Sequence, residues 1–406
     1  MSVTEVHRYD IDAVRASFPA LAAGSAHFDG PGGTQVPQQV IDAIAKALSE
    51  PLCNRGAHTV AERNAEAVVV EARRAFGDFF GADPAGVVFG RSSTQLAYDF
   101  SRTLAQGWNP GDEVVVTRLD HESNVSPWVQ AAARAGAVVR FAGFDPESGE
   151  LRPEHIQDAL SDRTRLVAVT AASNLIGTRP DIPAIARLVH DAGAVLFVDG
   201  AQYAAHASMD FTSMGADFLT CSAYKFLGPH LGVLVASPDR LEGLDPDKLS
   251  ASTNSVPERF ELGILPYGVL AGARAAVDFW AQLSPRGTGT RRDRLVDALS
   301  AVESYEEALL QTVEGGLKSL DGVNVWSRAT VRTPTLLVTF DGHDAHDVRD
   351  HLATRGVDAG AGTFYAREAS RVIGLGDRGG LRLGLAPYTS IEDVDRLLVA
   401  LHEYLR

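Results

Sequence analysis

The chain has 406 residues, 45% hydrophobic and 22% charged, and its 52 acidic against 37 basic side chains leave a net charge of −15. That balance argues against the basic face a nucleic-acid binder needs, and it leaves any anionic ligand to be held by local groups. Two cysteines, Cys53 and Cys221, rule out a disulfide framework and fit a reducing cytoplasm; no apolar run approaches a bilayer span, and the mixed, charged opening "MSVTEVHRYDIDAVRASFPAL" is not read as a signal peptide.

In chain order the pattern alternates helix and strand. "VPQQVIDAIAKALSE" (36–50) places Val36, Val40, Ile41, Ile44 and Leu48 at helical spacing, and "AERNAEAVVVEARRAFGDFF" predicts a second helix. The strand "GVVFG" (86–90) follows, then the helix "STQLAYDFSRTLAQG", the strand "DEVVVT", a helix through "PWVQAAARAGA" and the strand "VVRFAGF". The helix "RPEHIQDAL", the strand "RLVAVTAAS", the helix "DIPAIARLVHDAG" and the strands "AVLFVDG", "FLTCS" and "LGVLVAS" complete the series. Continuous apolar runs such as Val195–Val198 suit strands covered on both faces, so a mostly parallel sheet of these seven strands between helices is expected. After about residue 265 the pattern changes to the long helices "GVLAGARAAVDFWAQL" and "RRDRLVDALSAVESYEEALLQTVEGGLKSL", then "NVWSR", "TPTLLVTFD", the helix "AHDVRDHLATRG", the strand "GGLRLGLA" and a last helix capped by Ser390 with Asp393. These predict a smaller α+β domain. The organisation read from the chain is an arm over 1–27, a large domain over 28–265 and a small C-terminal domain over 266–406, with "SPRGTGTRRD" (284–293) the most linker-like stretch.

The chemistry concentrates in "LFVDGAQYAAHASMDFTSMGADFLTCSAYKFLGPH" (196–230). Asp199 stands at a strand's carboxyl end, where α/β sheets bind ligands, and Lys225 follows the next strand. A lysine amine whose pKa is lowered by burial or a nearby cation forms a Schiff base with an aldehyde. A buried aspartate needs a cationic partner, and a protonated pyridine nitrogen is one. The pair therefore describes a site for pyridoxal 5′-phosphate. Ser92, Ser93 and Thr94 open a helix after a strand and suit a phosphate, with Ser222 a further donor. His121 is placed to stack on a ring, and Arg382, in an otherwise apolar strand, to hold a carboxylate.

These residues carry a resemblance. "NRGAHT", "RSSTQ", "DHESNVSPW", "ASNLIGT", "VDGAQ", "SAYKFLGP", "RFELG" and "LRLGLAPYTSIEDVDRLL", in this order, resemble the motifs of the class V aminotransferases, in particular the cysteine desulfurase-like (SufS-type) group of fold-type I pyridoxal phosphate enzymes. The resemblance implies that Lys225 binds the cofactor aldehyde, Asp199 pairs with the pyridine nitrogen, Gln202 bonds the ring 3′ oxygen and His121 stacks on the ring and shuttles protons. It also implies that Ser93, Thr94 and Ser222 hold the phosphate, that Asn174 and Arg382 hold a substrate carboxylate, and that the enzyme is a homodimer.

Departures from that pattern shape the functional expectation. The desulfurases carry a sulfur-accepting cysteine on the loop before the arginine strand, and here "GVDAGAGTFYAREASRVIGLGDRGG" has none. Tyr224 replaces a histidine before the lysine, and Ile264 a threonine that in the relatives reaches the partner's phosphate. The expected activity is a C–S lyase acting on cysteine or a cysteine conjugate without a protein persulfide. The alternatives are transamination, epimerisation, or decarboxylative or aldol-type chemistry on the same cofactor. A nicotinamide oxidoreductase is disfavoured because "FDGPGGTQ" has the wrong glycine spacing. Taken singly, Asp199 reads as a turn residue, Ser92–Thr94 as a helix cap, Lys225 and His121 as surface or loop residues and Arg382 as an ion-pair partner. Tyr224, Phe364 and Tyr365 read as packing, and Cys221 as an inert thiol; Cys53, beside "NRGAHT", keeps a weak catalytic option.

Overall fold

A computed structural model describes residues 9–406. Its strands in chain order are β1 (Ala26–His27), β2 (Val87–Gly90), β3 (Glu113–Thr117), β4 (Val138–Ala142), β5 (Thr164–Thr170), β6 (Val195–Asp199), β7 (Phe218–Ser222), β8 (Gly232–Ala236), β9 (Val323–Val325), β10 (Thr335–Phe340), β11 (Val357–Asp358), β12 (Gly360–Gly362) and β13 (Gly380–Gly384). β2 to β8 form one seven-stranded sheet in the order β2-β8-β7-β6-β5-β3-β4. Only β8 runs against its neighbours, pairing antiparallel with both β2 and β7, while the pairs from β7 through β4 are parallel. Every residue of β3, β7 and β8 is buried, as expected for strands with helices on both faces; edge strand β4 exposes Val138 and Phe141.

Two apolar layers sandwich this sheet. Val115, Val167, Val198, Leu219 and Val235 point to one, with Phe76, Phe79, Phe226 and Trp280; Val114, Leu166, Phe197, Phe218 and Leu234 point to the other, with Trp128 and Phe100. The alternation along each strand is the period-2 geometry of the pleat. The helices Val60–Phe80 and Tyr267–Gln282 lie on the first layer, and Trp280 donates its indole N–H to the Phe226 carbonyl at 3.1 Å, fixing the turn just after Lys225.

β9, β10, β12 and β13 form a four-stranded antiparallel sheet, ordered β12-β13-β10-β9, over a separate core of Leu336, Val338, Leu381, Leu383 and Val394. The long helix Arg291–Lys318 joins the two cores: Leu295, Leu299 and Val302 sink into the large one, Leu309, Val313 and Leu317 into the small one. The N-terminal segment contacts residues from the last fifth of the chain. β1 pairs in parallel with β11, Arg15 bonds the Tyr388 carbonyl and the Asp393 carboxylate at 2.6 Å, and Phe18 packs on Tyr388. Residues 1–8 of the expected arm lie outside the described residues.

Most expected elements are present with ends trimmed. The helix expected from Val36 begins at Gln38, because Pro37 supplies the N-cap position, and "RPEHIQDAL" keeps helix only over Pro153–Gln157. The final helix has the expected capping box, Ser390 Oγ accepting from Asp393 N–H and the Asp393 carboxylate from Ser390 N–H. Among the described residues no helix is long and apolar enough to cross a membrane.

Candidate active site

Parallel pairing puts the carboxyl ends of β3, β5, β6 and β7 side by side, with Thr170 opposite Asp199 and Asp199 opposite Thr220. The loops beyond those ends carry His121, Asn174, Gln202 and Lys225, so one edge of the sheet gathers residues more than 100 positions apart.

Asp199 closes β6 and is 6% exposed. Among the described residues its carboxylate has a single hydrogen bond, from Ala201 N–H at 2.9 Å, and no ion pair. Burial raises its pKa; the Ala201 bond and the Lys225 charge pull the other way. A buried carboxylate so sparsely satisfied is a place for a cation.

Lys225 ends a 3₁₀ turn that leaves β7. Burial, then the positive charge of Arg382, push its amine down to about 8, against the opposing pull of Asp199 and Asp29. The amine donates to the Pro31 carbonyl, and the amide of Gln202 donates to the same oxygen at 2.7 Å. Two donors thus converge on one oxygen beside Asp199, the donor pair that a pyridine's phenolic oxygen and adjacent aldehyde require.

His121 caps a 3₁₀ turn after β3. Its Nδ1 accepts from Ser123 N–H at 3.0 Å and lies 2.7 Å from the Ser123 hydroxyl, which places the ring proton on Nε2. Burial, then the charges of Lys225 and Arg382, lower its pKa to about 4, so it is a neutral, flat ring at neutral pH. Asp120, the residue before it, is 3% exposed, bonded by the Thr117 hydroxyl and by Asn124 Nδ2 at 2.7 Å, with Asn124 in turn held by the Trp128 indole at 3.1 Å. Burial lifts the Asp120 pKa to about 8 despite those two bonds, and the charge of Asp199 adds to the rise.

The phosphate candidates open the helix Ser93–Ala105, where Ser92 is the N-cap. Ser222 Oγ accepts from Ser93 N–H at 3.2 Å and bonds the Ser93 hydroxyl at 2.9 Å; Thr94, one residue on, is exposed. The Ser92 backbone can approach this closely because Gly232 has no side chain: a Cβ there would lie 2.3 Å from the Ser92 carbonyl carbon.

Arg382 is 2% exposed at the middle of β13. Its Nη1 donates to the Asn174 carbonyl at 3.1 Å and its Nη2 to Asp29 Oδ1 at 2.6 Å, while Nε is buried without a partner. The Phe364 ring lies 3.7 Å from the guanidinium carbon, in space left by Gly360, where a Cβ would meet that ring at 2.6 Å. Asn174 donates Nδ2 to the Phe364 carbonyl at 2.8 Å and leaves Oδ1 buried and unpaired. An orphaned Arg Nε next to a one-point Asp29 contact is an unfilled fork, which suits a bidentate carboxylate.

The structure therefore brings Lys225, Asp199, Gln202, His121, Asn174 and Arg382 to one site and joins Ser93 to Ser222. Sequence reasoning missed Asp29, Pro31 and Asp120, and it read Phe364 and Tyr365 as packing. Phe364 does pack, on Arg382, but Tyr365 is 73% exposed, with its ring centroid 5.5 Å from that of His121. Two consecutive positive-φ residues, 51° and 58°, were a signal only the backbone carries.

The donor set fits pyridoxal 5′-phosphate, and comparisons with known proteins agree. The family described as Aminotransferase class-V matches residues 26–397. Uncharacterized protein MT3887 of Mycobacterium tuberculosis (strain CDC 1551 / Oshkosh) is 35% identical over 399 residues, covering 97% of this chain and 98% of that protein. Aminotransferase-like protein FGM3 of Gibberella zeae is 30% identical over 416 residues, covering 98% and 99%. The cysteine desulfurase CsdA of Escherichia coli superposes with a TM-score of 0.87 at 26% identity over 98% of each chain. The chain belongs to the class-V aminotransferase family, with the fold-type I architecture of the cysteine desulfurases, and is a pyridoxal phosphate-dependent enzyme.

Proposed function

We propose that this enzyme cleaves the β C–S bond of cysteine or a cysteine conjugate and releases sulfide or thiol to solvent without passing sulfur to a protein thiol. The observation that carries the reading is where the two thiols lie. Cys221 is fully buried in β7, its sulfur 3.9 Å from the Gly200 carbonyl and its pKa pushed up by burial. Cys53 is exposed in an irregular segment, 3.4 Å from its neighbour's carbonyl. The loop before β13 offers Phe364 and Tyr365 to the site instead of a thiol.

Bound pyridoxal phosphate supplies an electron sink for the pair left when a bond to the substrate α-carbon breaks. The protein's own groups do the rest. Ser93, Thr94 and Ser222 hold the phosphate at a helix N-terminus, Asp199 balances a protonated pyridine nitrogen, Gln202 bonds the ring 3′ oxygen, and neutral His121 covers the ring face. Lys225 would hold the cofactor aldehyde, and its free amine is placed to take the α-proton; an amine that titrates near 8 is a competent base at neutral pH. Asn174 and the open edge of Arg382 receive the substrate carboxylate. The cofactor groups come from the loops of the seven-stranded sheet and the carboxylate arginine from β13 of the four-stranded sheet, so the site would form where the two sheets meet. We also take the enzyme to be a cytoplasmic homodimer; exposed apolar Leu48, Leu262 and Ile264 support a subunit interface, and two unpaired thiols support a reducing compartment.

The test is a screen of cysteine and S-substituted cysteines that scores pyruvate, ammonia, thiol or sulfide, and α-proton exchange separately. Thiol and pyruvate in equal amounts are expected. A stoichiometric protein persulfide, or amino-group transfer or racemisation with no sulfur released, would replace this reading with one of its alternatives.

A further inference from the structure

Tyr365 has no evident structural task, yet the chain holds it in a costly place. Phe364 and Tyr365 both adopt left-handed φ, 51° and 58°, where glycine or asparagine is the ordinary choice. The turn is not loose: the Phe364 carbonyl accepts from Asn174 Nδ2 at 2.8 Å, the Tyr365 carbonyl from Glu122 N–H at 2.8 Å, and Ala366 N–H bonds the Thr363 carbonyl at 2.8 Å. Asn174 and Glu122 belong to the two loops that carry the carboxylate and ring-stacking groups. Phe364 repays its conformation by covering Arg382 at 3.7 Å. Tyr365 is 73% exposed, its ring centroid lies 5.5 Å from that of His121, and among the described residues its hydroxyl has no hydrogen-bond partner, so neither core packing nor a bond to the hydroxyl explains it. Strained residues of this kind that persist beside a site are held there for what the side chain does.

We propose that Tyr365 is a catalytic residue that contacts the substrate's β-substituent and protonates the departing sulfur; this rests on the C–S lyase reading. Loss of the α-proton would leave its electron pair on the substrate, with the bound cofactor as the electron sink. That pair then forms the α–β double bond as the C–S bond breaks with its electrons on sulfur. The Tyr365 O–H bond gives its proton to the thiolate, a neutral thiol departs, and the phenolate recovers a proton from water. No oxidant or further reactant is needed. The position suits the role, since a substrate anchored at Arg382 and reacting beside His121 meets Tyr365 on the solvent side, where the leaving group must exit.

The experiment compares wild type with Tyr365→Phe on two substrates. S-methylcysteine releases a basic thiolate that needs the proton; S-(2,4-dinitrophenyl)cysteine releases a stabilised thiolate that does not. Loss of one general acid predicts a fall of about 100-fold in kcat for S-methylcysteine, with KM little changed, and less than about 3-fold for the dinitrophenyl substrate. Because the exposed hydroxyl bonds nothing, the unliganded variant should melt within about 1 °C of wild type. Equal losses on both substrates, or none on either, would overturn the role of Tyr365 while leaving the lyase reading intact. A wild-type enzyme that cleaves neither C–S bond would overturn the lyase reading and the proton-donor role together.

Discussion

The most direct consequence of the site's electrostatics is the titration of Lys225. An ordinary lysine at pH 7.5 is about 0.1% neutral, whereas one with a pKa of about 8 is about 24% neutral, a gain of roughly 240-fold in the form that attacks an aldehyde. Mixing cofactor-free protein with pyridoxal phosphate in a stopped-flow spectrophotometer and following the yellow absorbance should give a rate that climbs with pH to about 8 and then levels. Arg382→Leu should move the inflection upward, because it removes the second cause of the shift and frees Asp29, whose charge favours the ammonium form. The same group has a stability signature. The folded pKa lies below the unfolded one, so the penalty for burying the ammonium is fully present below pH 8 and disappears as pH rises through about 10.4. Lys225→Met should therefore stabilise the cofactor-free protein by up to about 3 kcal/mol at pH 7, with the gap to wild type closing between pH 8 and 10.5 in denaturant titrations. A colour-forming rate that keeps rising tenfold per pH unit to pH 10, together with no stabilisation in the methionine variant, would refute the buried, Arg382-flanked environment derived above.

Other expectations follow from single contacts. Gly232→Ala forces a Cβ to 2.3 Å from the Ser92 backbone, so overpacking of about 1–3 kcal/mol in chemical denaturation and a weakened affinity for pyridoxal phosphate are expected together. Asp199→Asn removes the buried countercharge; equilibrium dialysis should show looser cofactor binding, and α-proton exchange should slow by about 100-fold or more, since a neutral pyridine is a poor electron sink. A colorimetric thiol reagent should modify Cys53 within minutes in native protein and reach Cys221 only on unfolding, and Cys53→Ser should turn over at the wild-type rate if no protein thiol accepts sulfur.

How much of this was legible in the sequence depended on the range of the interaction. The seven strands of the large sheet were visible because each is a short, largely apolar run between turn signals, and Asp199 and Lys225 because chemistry-bearing side chains followed two such runs. Even the final helix cap was readable, since Ser390 and Asp393 act within one turn. What stayed hidden was set by contacts hundreds of residues long: Asp29 on Arg382 is 353 positions away, and the Pro31 carbonyl on Lys225 is 194. Backbone oxygens carry no residue signature at all, so a carbonyl that gathers the Lys225 and Gln202 donors has no trace in a sequence. The seam between the two cores was equally silent, because it falls inside the continuous helix Arg291–Lys318, whose apolar period does not change as it passes from one core to the other.

The Phe364–Tyr365 turn is the instructive case. Side-chain type alone assigns two adjacent aromatics to packing, since burying large apolar surface is what aromatics most often do. Conformation divides them. Phe364 turns inward over Arg382, and Tyr365, forced into the same left-handed well, is turned outward past His121. A loop built only to cover the arginine would need one aromatic and a glycine. Keeping tyrosine at the second position sets conformational cost against a ring beside His121 and a hydroxyl that bonds nothing among the described residues, which leaves that hydroxyl for something the site receives.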